Sequence, residues 1–437
     1  MRSFAEHQRA VHALLDPLVD RLGADDSERV ELASGDAHAR VLADDVHAPV
    51  QLPGFDNSQM DGYAVRAADL ATARPESPVR LAVGRTSAAG DAPFDLAPGT
   101  ASPVMTGAGI PRGADAVVPI EVADPPAFLG LGAEHHDSPA GSVVNFTSAV
   151  DPGTFIRRAG SDIVVGALLL PAGQRLGPAQ LGALAAAGVT EVPVRRPLRV
   201  LLLSTGHELQ PPGQPLRPGQ IHDANTAMIG AALRACGVEV AEALAPDDAA
   251  SVRAAVAASV HPHLAEHSAQ RPVDLVVTTG GVSAGAFEVV RDALAPLGVE
   301  FVKVAIQPGG PQGLGTAVID VGTGSAPVEV PVVSFPGNPV SALVSFELFL
   351  RPVLRRLVGL APDRSRATLR LAHPVSSPAD RHQVRRGVLD GTGDVEVGAP
   401  SSHLLHAYAN ATVLVHLPVG VDALPAGANV DVWRIDD

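Results

Sequence analysis

The spacing of apolar residues divides the chain into three kinds of segment. From residue 4 to 22, Phe4, Val11, Leu14, Leu15, Leu18, Val19 and Leu22 recur at helical intervals, and Gly23 marks a stop. Residues 40–46 read as a second helical piece, and 177–188 as a helix with Pro178 near its start and Gly188 at its end. From 79 to 144 the runs are short, alternating and broken by Gly and Pro, the pattern of a small β domain. From 198 to 360 apolar, β-branched runs alternate with helical ones. Residues 199–204, 238–244, 274–279, 299–305 and 330–335 are expected as strands, and 223–235, 249–260, 287–294 and 339–350 as helices. That order predicts a parallel α/β sheet with helices on both faces. Residues 367–437 return to short alternating runs, read as a terminal β-barrel or sandwich.

The expected domains are therefore a discontinuous N-terminal domain (1–48 with 146–196), an inserted β domain (49–145), an α/β domain (197–361) and a C-terminal β domain (362–437). The discontinuous domain requires the first helix to pack with 146–196. The stretch from Pro125 to Pro139 reads as a polar loop.

Composition narrows the function. The chain has 437 residues, 46% hydrophobic and 18% charged, which suits several packed cores. A net charge of −15 argues against nucleic-acid binding, so an anionic ligand needs a local positive site. The one cysteine, Cys236, excludes a disulfide framework and a cysteine metal cage. No apolar run approaches the ~20 residues that span a bilayer. The N-terminus has no apolar signal segment, so the chain is expected to be soluble and cytoplasmic. Lys303 is the single lysine.

Three strand-to-helix crossings of the α/β region carry polar loops: Ser204-Thr205-Gly206-His207-Glu208, Thr278-Thr279-Gly280-Gly281-Val282-Ser283-Ala284-Gly285, and Phe335-Pro336-Gly337-Asn338-Pro339 with Ser341. The third has Asn338 set for the N-cap and Pro339 for the first helical position. In a parallel sheet all three lie at the carboxyl ends of strands, where ligands of such sheets bind. Glycines and helix N-termini there aim N–H groups at one point, which favours an anionic, phosphorylated ligand. The loops fit neither the P-loop nor the dinucleotide pattern. Gly281-Val282-Ser283-Ala284-Gly285 also fits the nucleophile elbow of α/β-hydrolases, with His373, His382, His403, His406 and His416 later in the chain. Glu208, Asp247, Asp248 and Glu288 are nearby acids, although Asp247-Asp248 sits where a helix cap belongs. Carboxylates beside a phosphate ligand would hold Mg²⁺. Lys303 ends a strand, and residues 307–313 read as a glycine-rich cover. The polar loop holding Asp56, Asn57, Ser58 and Asp61 is either a solvated turn or a ligand contact.

Taken in order, residues 53–64 (Pro53-Gly-Phe-Asp-Asn-Ser-Gln-Met-Asp-Gly-Tyr-Ala64), Met105-Thr106-Gly107-Ala108, Ser204-Thr205-Gly206, Gly280-Gly281-Val282-Ser283 and residues 336–341 resemble the MoeA and gephyrin E-domain family of molybdopterin molybdenumtransferases. The match spans nearly the whole chain. The resemblance implies a four-domain elongated homodimer with a molybdopterin-binding-like α/β domain. It implies insertion of molybdate into adenylylated molybdopterin, giving molybdenum cofactor and AMP, with Mg²⁺ or another divalent cation. Other molybdenum-cofactor biosynthesis proteins are implied partners.

Residue by residue, the resemblance places Asp61 and Thr106 in a loop reaching the active cleft across the dimer, together with Asp56. Asp162 matches another family acid. Glu208, Asp247 and Asp248 match acids near the nucleotide phosphate and metal. Ser204, Thr205, Gly206, Gly280, Gly281, Ser283, Glu288, Pro336, Asn338 and Pro339 match the substrate loops. Arg386 and Ser402 match terminal-domain positions facing the cleft, and with Lys303 they are expected to bind molybdate. The family often has Asp at the places of His207 and Glu288, and lysines where this chain has Gln307 and Gly310. Arginines of the last domain are expected to compensate.

Overall fold

The computed structural model describes residues 1–24, 26–129, 141–261, 271–283, 288–320 and 326–436. Most of the expected loop from Pro125 to Pro139 lies outside them, as do Ala284, Gly285 and Phe287 of the central loop.

Helix α1 (Phe4–Ala24) forms as its spacing predicts, but its partner differs. Val11, Leu15 and Leu18 enter the core of the α/β domain beside Phe346, Phe349 and Leu350. Phe4 stacks on His382 of the C-terminal domain at 4.8 Å. The sequence reading groups this helix with residues 146–196. Periodicity identifies an apolar face and carries no information about what covers it. The linker is instead held by strands. Ser27–Glu31 pairs antiparallel with Glu191–Arg195, and Val46–His47 with Leu168–Leu170. Residues 40–46 are extended rather than helical, because the Ala39 and Leu42 N–H groups donate to the carbonyls of Leu176 and Gln174. Helix α2 (Pro178–Ala186) closes this small core, packing Leu184 with Leu42, Leu176 and Val194.

The inserted domain is a six-stranded sheet around Tyr63, Leu81, Val144 and Phe146. Its strand Gly62–Val65 leaves the polar loop on one side of the sheet, and Thr100–Val104, its neighbour, runs into Thr106.

The central sheet comprises β1 (Arg199–Thr205), β2 (Glu239–Ala245), β3 (Leu275–Thr279), β4 (Val299–Lys303), β5 (Pro311–Ile319) and β6 (Val328–Phe335), in spatial order β2-β1-β3-β6-β5-β4. Successive side chains point to opposite faces. Val200, Leu202, Leu275, Val277 and Val333 meet α3 (Ala224–Ala235), α1 and α6 (Pro339–Ser345) on one face. Leu201, Leu203, Val276 and Val332 meet α4 (Ala249–Val260) and α5 (Val289–Leu294) on the other. At ~1.5–3 kcal/mol per fully buried aliphatic side chain, these faces can carry a site containing several unpaired polar atoms.

The sheet is mixed, not wholly parallel. β2, β1, β3 and β6 are parallel, whereas β5 pairs antiparallel with both β6 and β4. The connections from β4 to β5 and from β5 to β6 are too short for a parallel crossover, which needs a dozen residues or more. The run 307–313 is accordingly not a cover. Its second half is the start of β5, and Gly313 is there because a Cβ would come within 2.7 Å of Phe301 and Ser334. The expected helix 339–350 is α6 followed by a π-helical segment, Phe346–Leu350, which buries Glu347 against Arg364 at 2.9 Å.

The C-terminal β domain has a sheet of His382–Leu389, Val413–Leu417, Asn429–Arg434 and Arg366–Arg370, extended by Ile306–Gln307 from the central domain. Ile306 and Gln307 pair with His382 and Gln383, stitching the two domains together beside Lys303.

Candidate active cleft

The register sets the strand ends level. Ser204 lies opposite Thr279, Thr279 opposite Phe335, and Thr205 opposite Ala245. The three polar loops therefore leave adjacent strands at one edge and enclose a cleft of about 350 Å³. They touch through backbone. At Gly280, where φ is +96°, a Cβ would lie 3.1 Å from the Thr205 carbonyl oxygen; at Gly337 it would lie 3.1 Å from Gly280 Cα. Larger residues would push the loops apart.

Below the loops runs a chain of hydroxyls. Thr226 Oγ1 donates to Asp223 Oδ2 at 2.5 Å, and Ser204 Oγ bridges Thr226 Oγ1 and Thr279 Oγ1 at 2.9 Å each. Ser204 is fully buried, so it fixes the loops to one another and does not meet a ligand. Thr205, Gly206, Gly280, Gly281, Ser283, Glu288, Pro336 and Pro339 line the cleft as expected. Asn338 does not cap its helix; its Nδ2 donates to His403 Nδ1 of the C-terminal domain at 3.1 Å.

The acids divide. Glu208, Asp247 and Glu288 line the cleft. At Gly206 a Cβ would come within 2.8 Å of both Glu208 carboxylate oxygens, so the glycine lets that carboxylate lie over the loop. Glu288 Oε2 accepts the Ser283 N–H at 2.7 Å, and Asp247 Oδ2 accepts the His207 N–H at 3.1 Å. Asp248 is a helix cap: it accepts from Ser251 Oγ at 2.6 Å and Ser251 N at 2.8 Å, bonds that hold its carboxyl below the usual range. Of the three acids expected to hold a metal, Glu208 and Asp247 line the cleft and Asp248 does not, and no cluster of three or more metal-ligating side chains occurs among the described residues. Two carboxylates suit Mg²⁺, which commonly keeps several waters and takes its remaining ligands from substrate phosphates. With Asp223, four carboxylates face this cleft, and no Lys or Arg lines it among the described residues. A phosphorylated ligand would need a cation to enter.

The basic groups lie next door. Lys303 and Arg381 line a neighbouring cavity of about 190 Å³ with Gln307, Pro308 and Gly310, and Pro311 lines both cavities. Arg381 also forms a bidentate pair with Asp380 at 2.7 and 2.8 Å. Arg386 lines neither cavity, and its Nε and Nη1 are buried without a hydrogen-bond partner among the described residues. It is 1% exposed and donates to the carbonyls of Ala399 and Ser401, which fixes the turn that carries the half-buried Ser402.

Asp56, Asp61, Thr106 and Asp162 lie outside the cleft of their own chain. Asp61 Oδ1 accepts from Thr106 N and Oγ1, both at 2.7 Å, which holds the carboxyl below its ordinary range. Partial burial pushes Asp56 the other way, but the Ala159 N–H and Arg158 more than offset it. Asp162 is exposed.

Several cleft residues escaped the sequence reading. Asn225 was visible only as the second residue of a helix, and Asp223 only as its cap. Leu209 and His222 reach the cleft because Leu209–Gln210 pairs with Ile221–His222, which closes the Pro- and Gly-rich run between them into a loop. Arg381 adjoins Asp380, and its reach toward Lys303 depends on the stitch between domains. The hydrolase reading finds no support: none of the five histidines of the last domain lines the cleft beside Ser283.

Family models match the chain in three consecutive parts: "MoeA N-terminal region (domain I and II)" over residues 2–188, "Probable molybdopterin binding domain" over 201–356, and "MoeA C-terminal region (domain IV)" over 368–435. Molybdopterin molybdenumtransferase 2 of Mycobacterium tuberculosis (strain ATCC 25618 / H37Rv) is 42% identical over 447 residues, covering 100% of both chains.

The chain belongs to the MoeA family.

Molybdopterin molybdenumtransferase of Synechococcus elongatus is 38% identical across 93% of this chain and 94% of its own. The solved molybdopterin biosynthesis MoeA protein from Pyrococcus horikosii superimposes with a TM-score of 0.74 at 31% identity, covering 97% of this chain and 98% of that one. The residues lining the cleft all fall within the second match, the probable molybdopterin binding domain. The cavity of Lys303 and Arg381 lies where the second and third matches meet.

Proposed function

We propose that this MoeA-family enzyme inserts molybdate into adenylylated molybdopterin, releasing AMP and molybdenum cofactor, in the cytoplasm. The observation that carries the reading is a pair of adjoining cavities of opposite charge. The acid-lined cleft takes the phosphoanhydride together with a divalent cation. The cavity of Lys303 and Arg381 takes the molybdate dianion, Arg381 supplying charge that Gln307 and Gly310 lack. Glu208 and Asp247 are the residues that hold Mg²⁺, whose chemistry when bound is to neutralise charge on the phosphate oxygens of the leaving AMP. Gly280, Gly281 and Gly337 let the loop backbones approach the substrate, and Ser283 offers it a hydroxyl. No covalent protein intermediate is involved.

The enzyme acts as a homodimer in which Asp61 and Thr106 of one subunit reach the cleft of the other. Their loop borders an apolar surface. Phe55, Phe155, Val164 and Val165 are 56%, 38%, 58% and 62% exposed, and lie on strands and turns joined by the pairing of Asn57–Ser58 with Ile156–Arg157. Such patches mark association surfaces.

The deciding assay supplies adenylylated molybdopterin, molybdate and Mg²⁺, and follows both AMP and reconstitution of an apo-molybdoenzyme. AMP is expected only with molybdate and cation together. No product at any molybdate concentration defeats the reading, and binding without turnover points instead to a scaffold. The shared site has its own test. Glu208→Gln and Asp61→Asn subunits, each inactive alone, should recover about a quarter of wild-type activity when mixed and allowed to exchange, because half the dimers are mixed and hold one intact site. Mixtures as inactive as either parent would place both residues in the same subunit's site.

A further inference from the structure

We propose that Asn225 is a specificity-determining residue of the cleft, reading an amino N–H on a fused heterocycle of the substrate. The inference rests on the proposed reading of the site and adds which edge of the pterin is recognised.

Asn225 lies in the first turn of α3, lines the cleft and is 6% exposed. Its Nδ2 donates to the carbonyl oxygen of Gly337 at 2.8 Å. A carbonyl can only accept, so this bond settles which way the amide points. Oδ1 is the atom left over, and it is buried with no hydrogen-bond partner among the described residues. Thr205 lines the same cleft, is also 6% exposed, and its Oγ1 is likewise buried and unpartnered among the described residues. Thr205 ends β1 and Asn225 lies in the first turn of α3, and Thr205 Oγ1 lies 3.3 Å from where a Gly280 Cβ would stand.

Buried polar atoms in native proteins are nearly always paired, and those that are not call for an explanation. The surrounding groups had the chance to pair these two. Ser204, Thr226, Thr279 and Asp223 are joined in one chain of bonds directly beneath them. An acceptor of fixed orientation, with a hydroxyl lining the same cleft that can donate or accept, is suited to a ring edge that presents an amino N–H beside an unprotonated ring nitrogen. A 2-amino-4-oxopteridine has such an edge. A ring with oxygen in place of that amino group also carries a proton on the neighbouring ring nitrogen, so on this edge donor and acceptor are both inverted: carbonyl is set against carbonyl, and the site disfavours it because its own buried atom stays unpaired.

The test uses the two free pteridines, 2-amino-4-oxopteridine and 2,4-dioxopteridine, with binding followed by their own fluorescence. Wild type is expected to favour the amino compound by about 10-fold or more. Asn225→Ala should erase the preference. Asn225→Asp, which keeps an acceptor but loses the donor to Gly337, should keep the preference while lowering the melting temperature. Thr205→Val should weaken the amino compound with little change in melting temperature. A role confined to tethering Gly337 predicts instead that the Ala and Asp variants behave alike. The inference is overturned if wild type binds the two pteridines equally or binds neither at millimolar concentration, or if Asn225→Ala keeps the preference. A wild type that makes cofactor yet shows no preference sinks this inference alone. One that makes no cofactor and releases no AMP sinks the reading on which it rests.

Discussion

The α/β cleft and the polar loop of the inserted β domain are built from similar residues and treat them in opposite ways. In the loop, Asp61 is occupied by two donors from Thr106, and Asp56 by Arg158 and the Ala159 N–H. In the cleft, Asn225 Oδ1 and Thr205 Oγ1 have no partner among the described residues, and the Glu208 carboxylate lies over a glycine. The difference comes from the course of the backbone. The polar loop lies against two other segments, whose N–H, hydroxyl and guanidinium donors at Thr106, Arg158 and Ala159 reach its carboxylates. Parallel strands ending in line send their loops away from the ladder, so polar groups there face the space between loops. A dense polar stretch is therefore weak grounds for a reactive site, while polar residues just beyond a buried strand are stronger grounds.

Replacing Glu208 should separate the two regions most. Glu208→Gln removes one of two carboxylates assigned to the cation and is expected to slow AMP release by about 100-fold. Glu208 is exposed, so the melting temperature should hold. Release within a factor of about two of wild type would remove the cleft's claim to the chemistry.

A smaller effect tests how tightly the cleft's loops are set. Gly337→Ala puts a methyl 3.1 Å from Gly280 Cα. The expected cost is roughly 1–3 kcal/mol, read as a lower denaturant midpoint at unchanged slope, with a raised KM. An unchanged midpoint would mean that the loops are slack and that their glycines have another role.

The loop should show a small stability effect in a defined direction. The carboxyl of Asp61 is held below its ordinary value by the Thr106 N–H and hydroxyl. Its ionised form therefore stabilises the fold above pH ~4, and that contribution is lost as pH falls through the lower folded-state value. Asp61→Asn should melt below wild type at pH 6, and the gap should narrow as pH falls below ~4 and through the lowered folded-state value. Because Asp61 is largely exposed, the gap at pH 6 corresponds to less than about 1 kcal/mol. A gap that widens on acidification would show that the carboxylate is not the form Thr106 holds.

Much of the α/β region was legible in the sequence because its signals are local. β1, β3 and β6 are apolar runs ending in glycine-bearing loops, and α3 and α4 begin at Asp223 and Asp248, whose side chains accept from Thr226 N and Ser251 N. Local signals misled where a residue type serves two purposes. The glycines of 307–313 suggested a cover, yet Gly313 allows two strands to pack closely. Arg386 suggested an anion ligand, and its Nη2 also supports the turn through the carbonyls of Ala399 and Ser401.

The sequence by itself determined most strands and helices of the α/β region, though not β5, which faces are apolar, and that three polar loops follow buried strands, since each depends on residues within one turn or a few positions. Only the tertiary structure decided that α1 belongs to the central core, that the sheet turns antiparallel at one edge, that Arg381 joins Lys303, and that Asn225 is left with an unpaired oxygen. These depend on contacts between residues far apart in the chain, such as Gly337 with Asn225, and on a strand register that apolar spacing does not encode.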